Sequence, residues 1–244
     1  MKRTLVFAGR NVRELLRDPL TIGFGAAFPV LLLVLLSLIS RNTPKEVFTI
    51  ESLTPGIAVF GLSFFSLFSG MLVAKDRSTS FLMRLFASPL TAGDFIIGYT
   101  LPLLPLALLQ AVLCYAVALV LGLPFSLSVL RAVLAILPAA ALYIAIGLLA
   151  GSLLNDKQVG GLCGAMLTNV SVICSGAWFP IDLVGKGFRT FCSILPFAHA
   201  VDLGRCVLSG TSDGLGVHLA VVCAYAVVLS VLAVLAFRRA AKRG

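Results

Sequence analysis

Apolar blocks of about twenty residues, separated by short charged segments, recur along the whole 244-residue chain. An α-helix needs about 20 such residues to cross a hydrocarbon core of about 30 Å. Within the blocks, polar and apolar residues do not alternate as a membrane β-barrel would require. Only 12% of the residues are charged, too few to cover the surface of a soluble domain. The pattern therefore predicts an all-α polytopic membrane protein.

We predict six transmembrane helices in a single domain that covers residues 1–244. The spans are expected at 20–40, 53–74, 95–121, 127–154, 159–179 and 215–237. Residues 1–19 are predicted to lie in the membrane interface, because their apolar residues recur at helical spacing opposite a face of arginines. Residues 180–213 are interrupted by prolines and glycines, which favours short re-entrant helices on the outer side.

The distribution of basic residues predicts the orientation in the membrane. With both termini in the cytoplasm, 13 Lys and Arg fall on the inner side and six on the outer side, whereas the acids divide five and five. We therefore expect a multi-pass protein of the cell membrane with cytoplasmic termini and no removable signal peptide. The net charge of +9 does not indicate nucleic-acid binding, because the basic residues lie in short flanks without interleaved aromatic residues.

Ionisable side chains are almost absent from the predicted spans. Asp94 and Arg131 lie near predicted helix ends, where a helix cap or a snorkelling side chain accounts for them. This disfavours a proton- or sodium-coupled carrier. Ser193, His199 and Asp202 are too loosely spaced to indicate a hydrolase, and no phosphate-binding loop is present. We expect no catalytic site, no metal and no cofactor bound by this chain itself.

A row of serines in the second predicted span has two interpretations. Ser63, Ser66 and Ser69 recur at every third position. They are suited either to lining a polar path or to hydrogen bonding between helices.

Small residues and cysteines leave two further alternatives. Gly-x-x-x-Gly motifs at 147–151 and 160–164 allow two helix backbones to approach closely, within the chain or at a subunit interface. Packing within the chain is the favoured interpretation for both motifs. Cys192 and Cys206 fall in the same outer region and are either a disulfide pair or, as we favour, free thiols.

The charged segment 75–94 reads KDRSTSFLMRLFASPLTAGD and is predicted to be cytoplasmic. Ser78 or Thr79 is placed to cap a short helix, and Pro89 ends it. The apolar face of this helix consists of Phe81, Leu82, Leu85 and Phe86. Such a helix suits insertion into the groove of a partner protein. The alternative is a helix that rests on the membrane surface.

Four motifs resemble those of permease subunits of type-2 ABC transporters, the ABC-2 exporter family. They are RELLRDP at 13–19, the segment 75–90 with charged residues, small residues and then RL-x-x-SPL, GAWFPID at 176–182 and LPFAHAVDLGR at 195–205. They occur in the family's order across nearly the whole chain. The chain differs from many members where Asp76 is followed by Ser78-Thr79 instead of Gly-Thr.

The resemblance implies that two such subunits, identical or sister permeases, surround a central path and that two copies of a separate ATPase bind ATP and Mg. The ATPase would contact a coupling helix through Asp76, Arg77, Phe81, Leu82, Arg84, Leu85, Phe86, Ser88 and Pro89. The N-terminal connecting helix would contribute Arg10, Arg13, Glu14 and Arg17. The second and fifth spans would line the path with Ser63, Ser66, Ser69, Thr168, Asn169 and Val172.

The expected function is the permease of an ATP-driven exporter for an amphipathic or lipophilic compound, as in multidrug or antibiotic efflux. A single tryptophan and four tyrosines disfavour polysaccharide, which usually needs aromatic stacking surfaces. The alternatives are an exporter of polysaccharide, lipid-linked molecules, haem, peptide or ions in the same family. A channel or secondary carrier that needs no ATPase, or a membrane scaffold, are alternatives from other classes.

Overall fold

The computed structural model describes residues 2–19, 23–41, 49–79, 91–178, 181 and 184–241. In this part of the chain all regular structure is helical. The α-helices are α1 (Lys2–Arg17), α2 (Phe28–Arg41), α3 (Ile50–Ser78), α4 (Ala92–Val120), α5 (Leu127–Leu153), α6 (Asp156–Val159), α7 (Thr168–Ser175), α8 (Lys186–Ile194), α9 (Pro196–Ser209) and α10 (Leu215–Ala241). Two π-helical stretches, Gly23–Ala27 and Gly160–Leu167, lead into α2 and α7.

Six helical segments of the described chain are long and apolar enough to cross a membrane. They are Gly23–Ser40, Ile50–Ser78, Gly93–Val120, Leu127–Leu153, Asp156–Ser175 and Leu215–Arg239. The predicted all-α polytopic membrane fold is therefore confirmed. Helix α3 runs to Ser78, past residue 74, at which the second membrane span is predicted to end. The charged residues of this last turn bond to neighbouring helices, as described below.

The start of α4 is fixed by a capping box. The Thr91 hydroxyl accepts from the Asp94 backbone N–H at 3.2 Å, and the Asp94 carboxylate accepts from the Thr91 backbone N–H at 2.9 Å. This arrangement satisfies two backbone donors that a helix start otherwise leaves without partners. Asp94 therefore caps a helix, which is one of the two roles that the sequence allowed.

The centre of the bundle is α3, which packs most extensively on α5 and also contacts α2, α4 and α9. The close approach of α3 and α5 requires glycine. A Cβ atom at Gly147 would overlap the Ser66 carbonyl oxygen and the Ser69 hydroxyl, and one at Gly151 would overlap the Gly70 carbonyl oxygen. The motif at 147–151 thus packs within the chain.

The second glycine motif has different surroundings. A Cβ atom at Gly160 would meet nothing within 4 Å, and one at Gly164 would contact only the Leu67 side chain, at 3.3 Å. The same sequence pattern is therefore a tight helix contact in one span and a loosely packed stretch in another.

The region between the fifth and sixth spans forms a bent helix pair. Helices α8 and α9 meet at about 90° where Pro196 begins α9. Two short helices are thus present where they were predicted, and their re-entry into the membrane stays a prediction. Cys192 and Cys206 are free thiols in the structure. Cys192 interacts with Cys174 of α7, whereas the Cys206 sulfur lies 3.6 Å from the Asp213 carbonyl oxygen.

Candidate functional site

Helix α1 is packed against α4. The Phe7 ring makes edge-on contacts with Phe95 and Tyr99, at centroid distances of 5.6 and 5.0 Å. The Asn11 side-chain amide donates to the Gly98 carbonyl oxygen at 3.1 Å. The predicted connecting helix therefore has one protein-facing surface in addition to the surface that faces away from the bundle.

The central residue of the site is Asp76, near the C-terminal end of α3. Both guanidinium nitrogens of Arg10 donate to its carboxylate oxygens, at 2.6 and 2.7 Å, and the Tyr99 hydroxyl donates at 2.8 Å. Asp76 is only 2% exposed. A carboxylate remains charged at such depth only when it is paired and hydrogen-bonded. This one side chain thus joins α1, α3 and α4.

A second carboxylate extends the network at its exposed edge. Glu14 accepts from Arg10 at 2.8 Å and from Lys75 at 2.9 Å. Hydrogen bonding to Asp76 raises the pKa of the Arg10 guanidinium further above its already high ordinary value, so Arg10 is charged at any working pH. We call Arg10, Glu14, Lys75, Asp76 and Tyr99 the charged junction.

Arg77 fastens the same end of α3 to α5. Its guanidinium donates to the Gly151 and Leu154 carbonyl oxygens, at 2.8 and 3.2 Å. The last carbonyls of a helix have no partner within the helix, and a cation there also complements the helix dipole. Asp76 and Arg77, both predicted coupling residues, therefore hold neighbouring helices in place.

The remaining predicted coupling residues lie outside the described residues. They are Phe81, Leu82, Arg84, Leu85, Phe86, Ser88 and Pro89. The predicted coupling segment nevertheless connects α3 directly to α4, and these are two of the helices that Asp76 joins. On the connecting helix, Arg10 and Glu14 belong to the charged junction, whereas Arg13 and Arg17 are exposed.

The serine row lies on α3, with Ser66 and Ser69 beside α5. Ser63, Ser66 and Ser69 are fully buried within the chain. The Ser69 hydroxyl is within 3.1 Å of the Ser66 and Ile144 carbonyl oxygens. Ser69 thus fits the helix–helix interpretation, whereas the Ser63 hydroxyl donates to the Phe60 carbonyl oxygen of its own helix. A role of the row in a path stays a prediction.

The three predicted path residues of the fifth span have unequal exposure. Val172 is buried, Thr168 is partly buried, and Asn169 is exposed with its amide donating to the Ala165 carbonyl oxygen at 2.8 Å. Among the described residues, no hydrogen bond joins this set to the serine row. Their place on a path also stays a prediction.

Sequence reasoning missed a contact that Arg205 makes between two of the recognised motifs. Its guanidinium donates to the Gly176 carbonyl oxygen at 2.7 Å and to the Ser52 carbonyl oxygen at 3.3 Å, and it also lies 3.4 Å from Asp202. Gly176 ends α7 with a left-handed backbone, φ 66°. Arg205 and Gly176 were each part of a motif, but nothing in the sequence indicated that they meet.

An aromatic row was also missed. Phe24 and Phe28 contact Phe64 at 5.7 Å, Phe28 contacts Phe60 at 6.1 Å, and Phe60 contacts Trp178 at 5.5 Å. Phe24 is 45% exposed, whereas Phe60 and Phe64 are buried. Phenylalanine is common in apolar spans, so only the tertiary structure distinguishes these five residues from the rest.

The six apolar helices, the packed amphipathic α1 and the bent pair α8–α9 define an integral membrane protein of the polytopic α-helical class. Within that class the chain belongs to the ABC-2 type transporter family, whose family model matches residues 3–208. The matched region includes both the charged junction and Arg205. The resemblance seen in the sequence is therefore confirmed.

One curated relative is similar over a shorter region. Nodulation protein J of Bradyrhizobium diazoefficiens is 28% identical over 151 residues, which cover 62% of this chain and 58% of that protein. The aligned part thus spans less than two thirds of the relative's length.

Proposed function

We propose that this chain is the membrane-spanning permease subunit of an ATP-driven exporter, powered by a separate nucleotide-binding ATPase. The observation that carries the proposal is the burial of Asp76 in a bidentate pair with Arg10, at the start of the predicted coupling segment. Family membership supports the same proposal. The partner ATPase, in two copies, would hold the ATP and Mg.

The geometry suggests how force from the ATPase would reach the spans. A partner that displaces residues 80–90 moves the ends of α3 and α4 together, since Asp76 joins them and also joins α1. Because α3 is buried along most of its length, its displacement must shift the helices packed around it. The bundle then changes state by rigid-body movement of packed helices.

The proposed setting is the cell membrane with both termini in the cytoplasm, in a complex with a second permease copy or a sister permease. The excess of basic residues on the predicted inner side supports this orientation. The charged junction and the predicted coupling segment then lie on the side where ATP is available.

We propose an amphipathic or lipophilic small molecule, drug- or antibiotic-like, as the substrate class. Along the described spans, the fully buried polar side chains away from the helix ends are hydroxyls and one amide, Gln110. Such groups do not ionise near neutral pH, so they neither relay protons nor neutralise a charged substrate. An uncharged apolar portion of the substrate is therefore expected inside the bundle.

The aromatic row favours a second candidate, a lipid-linked or saccharide substrate. Sugar rings stack on aromatic faces, and Trp178 at one end of the row is only partly buried. Trp178→Ala should abolish stimulation of the ATPase by a saccharide and leave stimulation by an uncharged lipophilic compound unchanged. Unchanged stimulation by the saccharide, with loss of stimulation by the lipophilic compound, would favour the drug-like substrate.

The coupling proposal is tested on the permease co-purified with its ATPase. In Asp76→Asn, we expect the ATPase to remain bound while its stimulation by transported compounds falls at least about tenfold, because the force-bearing joint is weakened. Arg84→Glu and Phe86→Asp should instead reduce assembly with the ATPase. Full assembly and full stimulation in all three variants would refute the proposal.

A transport assay distinguishes an ATP-driven permease from a channel or secondary carrier. Substrate flux in liposomes that contain the permease alone should be absent, and it should appear only with the ATPase and ATP. Flux without the ATPase would establish the alternative class, and absence of any substrate-dependent ATPase stimulation would indicate a scaffold.

A further inference from the structure

A cavity of about 680 Å³ opens beside the charged junction, between α1, the C-terminal part of α3 and the start of α6. We propose that this cavity binds an anionic membrane phospholipid, with the phosphate headgroup at Arg13 and Arg17 and an acyl chain along the apolar wall. Its volume lies in the usual range for ligand sites. The inference does not depend on the chain being an exporter.

One wall of the cavity is formed by α3, whose lining residues change from apolar to charged toward its C-terminal end. Phe68, Met71 and Leu72 of α3 line it, and Lys75 follows one turn later. The distance from Phe68 to Lys75 along the helix axis is about 10 Å. A membrane passes from acyl chain to headgroup over a similar depth. The wall therefore matches the polarity profile of a phospholipid.

The other wall is the charged face of α1. The cavity is lined by four cations, Arg10, Arg13, Arg17 and Lys75, and by three acids, Glu14, Asp18 and Asp156. The formal charges of these lining residues nearly cancel. The binding of an anion therefore depends on which of the cations already form ion pairs. The pairs are unevenly distributed between the two ends of the arginine row.

At one end of the row the charges are already matched. Glu14 accepts from both Arg10 and Lys75, and Arg10 also pairs with Asp76. At the other end, Arg13 and Arg17 make no ion pair with any residue that the structure describes, and both are exposed. Since they are four residues apart on a helix, their guanidinium groups project from the same face. The two guanidinium groups can therefore bind one phosphate together, although Asp18 and Asp156 also line the cavity.

Guanidinium groups suit a phosphate because their paired N–H donors match its oxygens. A soluble phosphate would use the two arginines and leave the apolar wall wet. A phospholipid uses both walls, and the amphipathic α1 places the cavity at the depth of the lipid headgroups. The combination favours a lipid over a free anion.

The test measures the thermal stability of the full chain, purified in detergent and stripped of lipid. Phosphatidylglycerol should raise the unfolding temperature by about 5 °C, and the zwitterionic phosphatidylcholine should raise it clearly less. Inorganic phosphate alone should have no effect. The double variant Arg13→Gln/Arg17→Gln should unfold as the wild type does without lipid, because both side chains are exposed, and it should lose most of the phosphatidylglycerol effect.

A matched control removes the same number of charges elsewhere. Arg238 and Arg239 are exposed at the C-terminal end of α10, on the same predicted side of the membrane. Arg238→Gln/Arg239→Gln should keep the full response to phosphatidylglycerol. A response lost equally in both double variants would show general charge attraction and overturn the site.

Three other results would also overturn it. Equal stabilisation by both lipids would remove the anionic specificity, and full stabilisation by inorganic phosphate would replace the lipid by a free ion. Stabilisation by the ATPase in lipid-free detergent that depends on Arg13 and Arg17, with no response to phosphatidylglycerol, would assign the cavity to a protein partner.

Discussion

The two ends of α3 are fastened by arginines from different helices, and they use different acceptors. At the C-terminal end Arg10 of α1 pairs with the buried carboxylate of Asp76. At the N-terminal end Arg205 of α9 donates to the backbone carbonyls of Ser52 and Gly176. Between the helices, the first contact joins two full charges and the second joins a charge to neutral dipoles. Arg205 also pairs with Asp202, but that residue belongs to its own helix.

This difference determines how each end responds to change. Removing one partner from a buried ion pair leaves an uncompensated charge, which is costly in a low-dielectric environment. Ser52 is partly exposed, so its carbonyl regains part of a lost hydrogen bond from water, and the buried Gly176 carbonyl loses a bond to a neutral acceptor and not a charge partner. We therefore expect the stability of the C-terminal end of α3 to depend on the pairing of opposite charges. The stability of its N-terminal end should depend on the planar arrangement of the arginine donors.

The largest effect is expected for Asp76→Asn. The new amide turns a donor toward the donors of Arg10, so the free energy of unfolding should fall by about 3 kcal/mol. An SDS titration in mixed micelles measures it. Adding Arg10→Gln to this variant should recover part of the loss. If the double variant loses the sum of both single changes, the two residues are not coupled and the comparison fails.

Arg205→Gln should be the next most damaging change. It removes two charge-assisted hydrogen bonds that hold Ser52 and Gly176 together, for a loss of about 2 kcal/mol. Arg205→Lys keeps the charge without the planar arrangement of donors, and we expect it to recover less than half of the loss. Full recovery by lysine would show that charge, and not shape, matters at this end too.

Arg77→Gln tests whether the loss of stability depends on the kind of acceptor or on which end of α3 is affected. Arg77 lies beside Asp76 but donates to the carbonyls of Gly151 and Leu154, as Arg205 does to its own carbonyls. We expect a loss of about 1 kcal/mol in the same titration. A loss as large as that of Asp76→Asn would mean that position along α3, and not the acceptor, sets sensitivity.

Glu14→Gln should have the smallest effect, below about 0.5 kcal/mol, because its pairs with Arg10 and Lys75 are solvent-accessible. That loss should also shrink as salt concentration rises, whereas the loss in Asp76→Asn should not. A strong salt dependence in both variants would place Asp76 in contact with solvent and contradict its burial.

Several features of the fold were predictable because they depend on short stretches of chain. The six spans follow from the length of the apolar blocks, and the cap at Asp94 follows from a polar residue at a helix start. The glycine motifs show the limit of such reasoning. The pattern is the same at 147–151 and 160–164, yet only the first meets the backbone of α3.

The candidate site was predicted as a set of residues and not as a set of contacts. Asp76 and Arg10 were both named, but for separate roles, and Tyr99 was not named at all. These residues are far apart in the chain, and an apolar block gives no sign of which tyrosine will meet a carboxylate. The serine row was likewise visible in the sequence, but its full burial and the contact of Ser69 with α5 were not.

The sequence alone determined that this is a membrane protein, how many spans it has, that α1 is amphipathic and to which family the chain belongs. Bilayer thickness and helical rise act on local composition, so these properties need no knowledge of distant contacts. The tertiary structure decided which side of each span faces another helix. A span that is apolar all round, such as α4, does not encode its own rotation. The partners of Asp76 and of Arg205 therefore became visible only when the helices were packed together.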